Sequence, residues 1–584
     1  MRAISAFGAL VARLYAWQPG PCAAAAGVVL VVLVFRCTRP SKRLRSNRVR
    51  HHRIRVRLRL HPGRGHATVF ELWLRWGRLA AFRGSGRTRP TLSIWARAGH
   101  SASYAVQIGR AHYWHRLWVD LQTHILMLAP PRSGKSALLA RIILHFCGPV
   151  VSTTTKADIF ALTSGVRARR GPVMVFNPQN IGGVPSTFRW NPIAGCEDPA
   201  TAIRRADAFT QSVSQRGVED ATFWSQMASD WLRAMFQAAA LGGKTMLHVA
   251  AWSMSGNASE AETILLNSRQ FQAAQALSQM RSAAQKTAAT IQMSLSRALS
   301  FLTDPSLAAS VLPAEGDGFD IAAFLKNRGT LYMIAESRNE ESPLAPLFAC
   351  LAGEVHYEAV LLGSQAPGGR LDPPLLLALD EITQVCPLPL PSLLADSGGK
   401  GIQIIPVVHG EAQMRSRWHA DGSRVIQDTC GVKLILPGVT DPDTLKAASQ
   451  ICGTTALKER GSDDVTRAEV MTPDMISRLP AGYGLVIRGG SAPVVARLCR
   501  GWKDRLYRRA KRHGYAVAAI TAAPGRPVTP EPPAIGGLSL VPPAPKPAPA
   551  APAAALEPYE DAEPVAAEMV PAEDEEIYPW SAGR

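Results

Sequence analysis

No CxxC pair occurs among the nine cysteines of this 584-residue chain, which lie scattered as Cys22, Cys37, Cys147, Cys196, Cys350, Cys386, Cys430, Cys452 and Cys499. That absence argues against a zinc ribbon or a disulfide framework and for a reducing compartment, where thiols act as small buried hydrophobes. The chain shows no internal repeat. Charge of one sign is missing from two stretches: Arg36 to Arg59 holds eleven Lys or Arg and no acid, and Glu557 to Glu576 holds nine acids and no base. The net charge of +20 is therefore unevenly placed. Without the first cluster the body is only mildly basic, a hint of nucleic acid and no more. A chain this long can bury a large core and holds two or more domains.

Charge of either sign is absent from Tyr15 to Phe35. A membrane helix needs about 20 apolar residues, so the apolar run Pro21–Phe35 spans a bilayer if residues from about Tyr15 onward join it. A cleaved signal peptide fits poorly, because the positive charge follows the apolar run instead of preceding it. Eleven basic residues after Phe35, against Arg2 and Arg13 before it, place the C-terminal bulk in the cytoplasm. The stretch Ala3–Trp17, interrupted by Arg13, reads equally as a second span or an interfacial helix. Residues 36–64 are a basic juxtamembrane segment suited to anionic headgroups.

What is present is a phosphate-binding signature. Ile125-Leu126-Met127-Leu128 reads as a buried strand, and an apolar-periodic helix follows from Ala137. Between them stands Ala129-Pro130-Pro131-Arg132-Ser133-Gly134-Lys135-Ser136. Backbone N–H groups of such a loop wrap phosphates, and the helix N-terminus adds partial positive charge. Lys135 would neutralise the β/γ oxygens of ATP, and Ser136 would ligate Mg²⁺. Ala129 stands where the pattern usually has glycine.

Further along, Leu375–Leu379 is an apolar strand ending in Asp380 and Glu381. Asp380 would hold the Mg²⁺ hydration shell, and Glu381 would orient and deprotonate the attacking water. The adjacent Glu favours hydrolysis over phosphoryl transfer to a second substrate. The next apolar run, Ile402–Val408, ends in His409 and Gln413, where a γ-phosphate sensor or a capped strand end would stand. Arg415 and Arg417 read either as solvated loop residues or as a finger reaching a neighbour's ATP.

Runs at 106–109, 117–119, 149–154, 172–176, 330–335 and 432–436 read as further strands, giving an α/β chain with a parallel sheet. From Asp198 to about Asp304 the pattern is helical, with helix-start signals at Asp198-Pro199 and Asp220. Trp224, Met227, Trp231 and Met235 recur at helical spacing, a stripe that reads as core ahead of a base-stacking platform. That helix closes at Gly242-Gly243, and two more are expected across 259–280 and 282–303. Residues 65–105 are a connector with no assignment. Residues 521–584, Pro/Ala-rich and then acidic, read as a disordered tail, solubilising or carrying a docking peptide.

The chain resembles the coupling proteins of type IV secretion, the TraG/TraD-like membrane-anchored ATPases, in the form found on actinobacterial conjugative elements. The resemblance covers about Val106 to Trp502 plus the anchor layout. It is carried by Ala129–Ser136, Val150–Asp158, Phe188–Pro192, Leu379–Glu381, His409–Gln413 and Leu479–Ile487. It implies a RecA-like P-loop NTPase domain (106–197 and 305–520) with an inserted all-α domain (198–304), an N-terminal membrane anchor (1–35) and a disordered tail. It implies homo-hexamers at the cell membrane, with the ATPase in the cytoplasm. These would pass single-stranded DNA with its relaxase or relaxosome to the secretion channel. Residues 129–137, through Ala137, would bind the nucleotide. The family usually has Gln where His409 stands, which moves the sensor role to Gln413, and it commonly has two convincing membrane helices. A septal translocase of FtsK/HerA type, a protein-only secretion ATPase and a non-motor scaffold are the other readings. Intact Lys135, Asp380 and Glu381 speak against the scaffold. The lack of an obvious winged-helix module speaks mildly against the septal translocase.

Overall fold

Buried apolar runs bounded by turns set the architecture. The computed structural model describes residues 65–213, 221–282, 285–314, 317–336, 342–458 and 465–520. The anchor read at 15–35, the basic segment 36–64 and the tail from 521 lie outside the described residues. Among the described residues there are thirteen strands, β1 Ala105–Arg110, β2 Arg116–Asp120, β3 Ile125–Leu128, β4 Val150–Thr154, β5 Val173–Phe176, β6 Thr330–Ile334, β7 Leu375–Leu379, β8 Ile402–Val408, β9 Val432–Ile435, β10 Thr454–Lys458, β11 Val465–Glu469, β12 Tyr483–Arg488 and β13 Val494–Leu498. Eleven form one sheet in the order β2-β1-β13-β12-β9-β3-β8-β7-β4-β6-β5, and β10 pairs with β11 alone. From β9 to β5 all pairings are parallel; from β9 outward through β12, β13, β1 and β2 they are antiparallel. Strands β3, β4, β6, β7 and β8 are buried along their whole length. Both faces are covered, which is why these strands are apolar runs without alternation.

Between β5 and β6 the chain is largely helical. Asp198 accepts from the Thr201 amide at 3.0 Å, and Pro199 takes the first helical position, so Pro199–Gln211 starts where the cap signal lies. Ala221–Leu241 follows, with Trp231 only 2% exposed and Trp224 packed on the same core, so the aromatic stripe is core. The single helix expected across 259–280 is two, Ser259–Asn267 and Phe271–Ser282, because Arg269 adopts φ +58°. The helix expected across 282–303 runs Gln285–Ala298 and ends in a 3-10 turn, Ser300–Thr303. Met246–Ser255 was not anticipated, being apolar nearly all round and so lacking a periodic stripe. These helices share one continuous core with the sheet: Phe176 stacks on Phe188 at 5.3 Å, and Phe209 meets Phe236 at 5.5 Å in the same cluster. Among the described residues, one helix, Ala345–Ser364, is long and apolar enough to cross a membrane. Most of it is buried against that core, which accounts for its composition.

The unassigned connector is helical at Val69–Trp76, Arg78–Thr88 and Ile94–Gly99. It is fastened to the rest by a buried Arg89–Asp372 ion pair, by the Thr91 amide on Asp372 at 2.9 Å, and by the Ala492 amide on Glu71 at 2.7 Å. Its partners lie hundreds of residues away, so no local pattern announces them.

Candidate nucleotide site

Three neighbouring strand ends build the site. In the sheet β3 lies beside β8, and β8 beside β7, and their carboxyl ends carry the loop from Ala129, His409, and Asp380-Glu381 respectively. The crevice at the carboxyl ends of parallel strands is the general place for ligands in such sheets. Ala129 is fully buried, and its amide donates to Val408 O at 2.8 Å. The loop's positive-φ residues are Arg132 (+61°) and Gly134 (+97°), not Ala129. The position that usually holds glycine therefore needs no left-handed backbone here, and a methyl group is accommodated. Gly134 does need it, and it caps the helix Lys135–His145. Pro130, Pro131 and Ser133 complete the loop, with the Ser133 amide on Pro130 O at 3.3 Å. Ala137, in the first turn, is buried.

Lys135 Nζ forms an ion pair with Glu381 Oε1 and lies 3.4 Å from Asp380 Oδ1. Ser136 Oγ is 3.5 Å from Asp380 Oδ2. Thr153 of β4 donates to Asp380 O at 2.9 Å and fixes the turn. Glu381 sits at φ +51°, ψ +44°, a left-handed conformation costing a non-glycine residue about 1–2 kcal/mol. His409 Nε2 stands 3.0–3.1 Å from the two Glu381 oxygens.

These surroundings separate the two carboxylates. Burial pushes Asp380 up to about 6, against the pull of Lys135, and the Glu381 charge adds to the rise. Glu381 is also penalised by burial, yet the His409 hydrogen bond and Lys135 outweigh that and hold it below its ordinary value. At neutral pH both carboxylates are therefore largely ionised, and as pH falls through about 6 Asp380 takes up its proton while Glu381 stays ionised.

Gln413 meets the backbone of His409. Its Oε1 accepts the His409 amide at 2.8 Å, while the His409 ring is the group that reaches Glu381. The sequence marks His409 as a polar strand end beside Gln413, but the family's usual Gln at that position moved the sensor role mainly to Gln413, and the contact with Glu381 across neighbouring strands left no linear signal. Arg415 is held by Glu411 at 2.6 Å and Asp443 at 3.0 Å, and Arg417 donates to Gln211 O at 2.7 Å. Both candidate fingers thus have partners within their own chain. Among the described residues no cluster of three or more His, Cys, Asp or Glu could hold a metal ion.

Comparison with solved structures gives faint likenesses. The plasmid coupling protein TrwB in complex with an ATP analogue is 19% identical over 65% of this chain and 85% of that one, with a TM-score of 0.48. TrwB with ADP and Mg²⁺ is 17% identical over the same shares, at 0.47. VirB4 of Thermoanaerobacter pseudethanolicus is 13% identical over 68% of this chain and 96% of its own, at 0.39. Comparison with curated proteins gives no match. The model of one family, described as type IV secretory system conjugative DNA transfer, matches residues 90–525, and the chain belongs to that family.

Proposed function

We propose that the protein is a membrane-anchored ATPase that couples ATP hydrolysis to DNA transfer through a conjugative type IV secretion channel. The observation that carries the hydrolysis is the meeting of Lys135, Ser136, Asp380, Glu381 and His409 at three adjacent strand ends. The residues suit ATP with Mg²⁺: Ser133 Oγ is buried without a hydrogen-bond partner, Asp380 Oδ1 is buried with Lys135 Nζ 3.4 Å away, and Ser136 Oγ faces Asp380. The chemistry that Mg²⁺ would supply there is neutralisation of the charge on the phosphates. Ser136 and Asp380 would hold that ion, residues 129–137 would cradle the phosphates, and Glu381 would take a proton from the attacking water. His409 orients the Glu381 carboxylate and keeps it ionised, with Gln413 steadying the His409 backbone.

The transfer reading draws on family membership. It includes a RecA-like motor with a helical insertion, homo-hexamers at the inner membrane, and single-stranded DNA delivered with a relaxase. DNA-dependent hydrolysis tests it.

His409→Ala should slow turnover with little change in ATP affinity. A hydrogen bond to a charged group is worth about 1.5–3 kcal/mol, a tenfold to hundredfold effect on kcat. His409→Gln, which restores a donor, should recover most of it. A loss in ATP affinity with kcat intact would place His409 on the nucleotide instead.

A further inference from the structure

Between residues 65 and 119 there are eight arginines and one acid, Glu71, whose carboxylate is taken by the Ala492 amide. The helical part of this segment leaves large apolar side chains outside. Phe70 is 69% exposed, Trp73 46%, Leu74 37% and Leu79 39%, with the Phe70 and Trp73 rings 6.4 Å apart. Arg83 and Arg87 are exposed on the helix that follows. Clustered exposed apolar groups beside charge of one sign mark a contact surface. Aromatic rings accompanied by arginines are what settle at lipid headgroup level.

The patch has a defined place in the fold. Ala67 donates to Pro493 O at 3.2 Å, and Arg488 Nη1 donates to Arg75 O at 3.0 Å, which fastens the segment to the β12–β13 turn. Arg488 pairs with Val432, and Val432 with Ile125, the first residues of β9 and β3. That turn therefore lies at the amino edge of the parallel strands, opposite the nucleotide site. A second basic surface lies toward the same edge. The helix Arg505–Arg512 starts at Asp504, which pairs with Arg141 at 2.8 Å and His145 at 3.0 Å, late in the helix that begins at Lys135. Arg505, Arg508, Arg509, Lys511 and Arg512 are all exposed.

We infer that this amino edge is a docking surface for anionic phospholipid. Phe70, Trp73, Leu74 and Leu79 enter the headgroup layer, and Arg83, Arg87 and the helix Arg505–Arg512 face lipid phosphates. The uncharged run that ends at Phe35 is joined to the patch by residues 36–64, which are basic and hold no acid up to Arg59. A second copy of the chain would meet this patch with the same positive charge, whereas anionic lipid complements it. Docked this way, the carboxyl edge with its nucleotide site points away from the bilayer. The inference rests on the reading of Tyr15–Phe35 as a membrane anchor.

The test uses the full chain reconstituted into vesicles of phosphatidylcholine, with or without phosphatidylglycerol. A lipid with a photoactivatable group near its headgroup reports contacts by peptide mapping. Labelling of residues 67–80 is expected with phosphatidylglycerol and should fall about tenfold or more without it. Each arginine near an anionic surface contributes about a fivefold effect, so Arg83→Glu with Arg87→Glu should reproduce that loss. Phe70→Ser with Trp73→Ser should abolish labelling while ATP hydrolysis at the opposite edge persists, which shows that the variant is folded. Labelling of Tyr15–Phe35 in every sample reports the anchor separately. If Tyr15–Phe35 is labelled and 67–80 is not, the docking surface is wrong and the anchor stands. Equal labelling of 67–80 in pure phosphatidylcholine, or cross-linking of this patch to DNA or to a second copy instead of lipid, also overturns the inference.

Discussion

Lys135→Ala is expected to lower ATP turnover at least a hundredfold while the fold stays intact. Lys135 is the cation in the site: it reaches Glu381 and stands 3.4 Å from Asp380. Charge that develops on the β/γ-phosphates has no other lysine in the loop to meet it. Losing such a transition-state contact costs about 3–5 kcal/mol, with each 1.4 kcal/mol a factor of ten in rate. The fold should survive, because Lys135 starts its helix at a loop and its side chain lines the crevice without packing in the core. The substitution also leaves two neighbouring carboxylates without their counter-charge, so Asp380 should hold its proton to still higher pH. Steady-state hydrolysis by the purified protein, with circular dichroism as the folding check, decides it. Unchanged turnover would remove the site assignment.

Glu381→Gln is expected to separate binding from hydrolysis. The amide keeps the shape of the carboxylate and can still meet His409, but it cannot accept a proton from water. Asp380 and Ser136 are untouched, so ATP and Mg²⁺ should bind as in the parent protein, while turnover falls by about two to four orders of magnitude. ATP would then persist in the site and hold subunits together. Equilibrium nucleotide binding and single-turnover hydrolysis read the two effects apart. If this variant loses nucleotide affinity as severely as Lys135→Ala, the division of labour between Asp380 and Glu381 is wrong.

How much of this was legible beforehand depends on whether a signal is local. The run Ile125–Leu128, the loop ending in Gly134-Lys135-Ser136 and the strand ending at Asp380-Glu381 are each contiguous, so the strands of the parallel half and the paired carboxylates could be read directly. The Asp198-Pro199 cap likewise marked its helix to the residue. The break at Arg269 could not be read, because nothing in the type of an arginine announces a left-handed backbone. Met246–Ser255 was hidden by being apolar nearly all round. The segment 65–105 stayed unassigned because what holds it are Asp372, Ala492 and Pro493, all far along the chain. His409 was visible as a strand end, but its partner Glu381 belongs to a neighbouring strand. A linear pattern does not show that strand order.

ATP hydrolysis measured with single-stranded DNA, duplex DNA or no DNA, from low to physiological salt, tests the coupling of this site to DNA most directly. Contacts to phosphates release counterions, so stimulation should weaken with a log–log slope of about −0.7 for each phosphate neutralised on a single strand. Oligonucleotides of unrelated sequence should act alike, since backbone contact and stacking tolerate any base. Stimulation by single strands above duplex, fading as salt rises and absent in Lys135→Ala, is the expected result. Hydrolysis that ignores DNA at low salt, yet responds to a partner protein, would contradict it and reassign the motor to protein cargo.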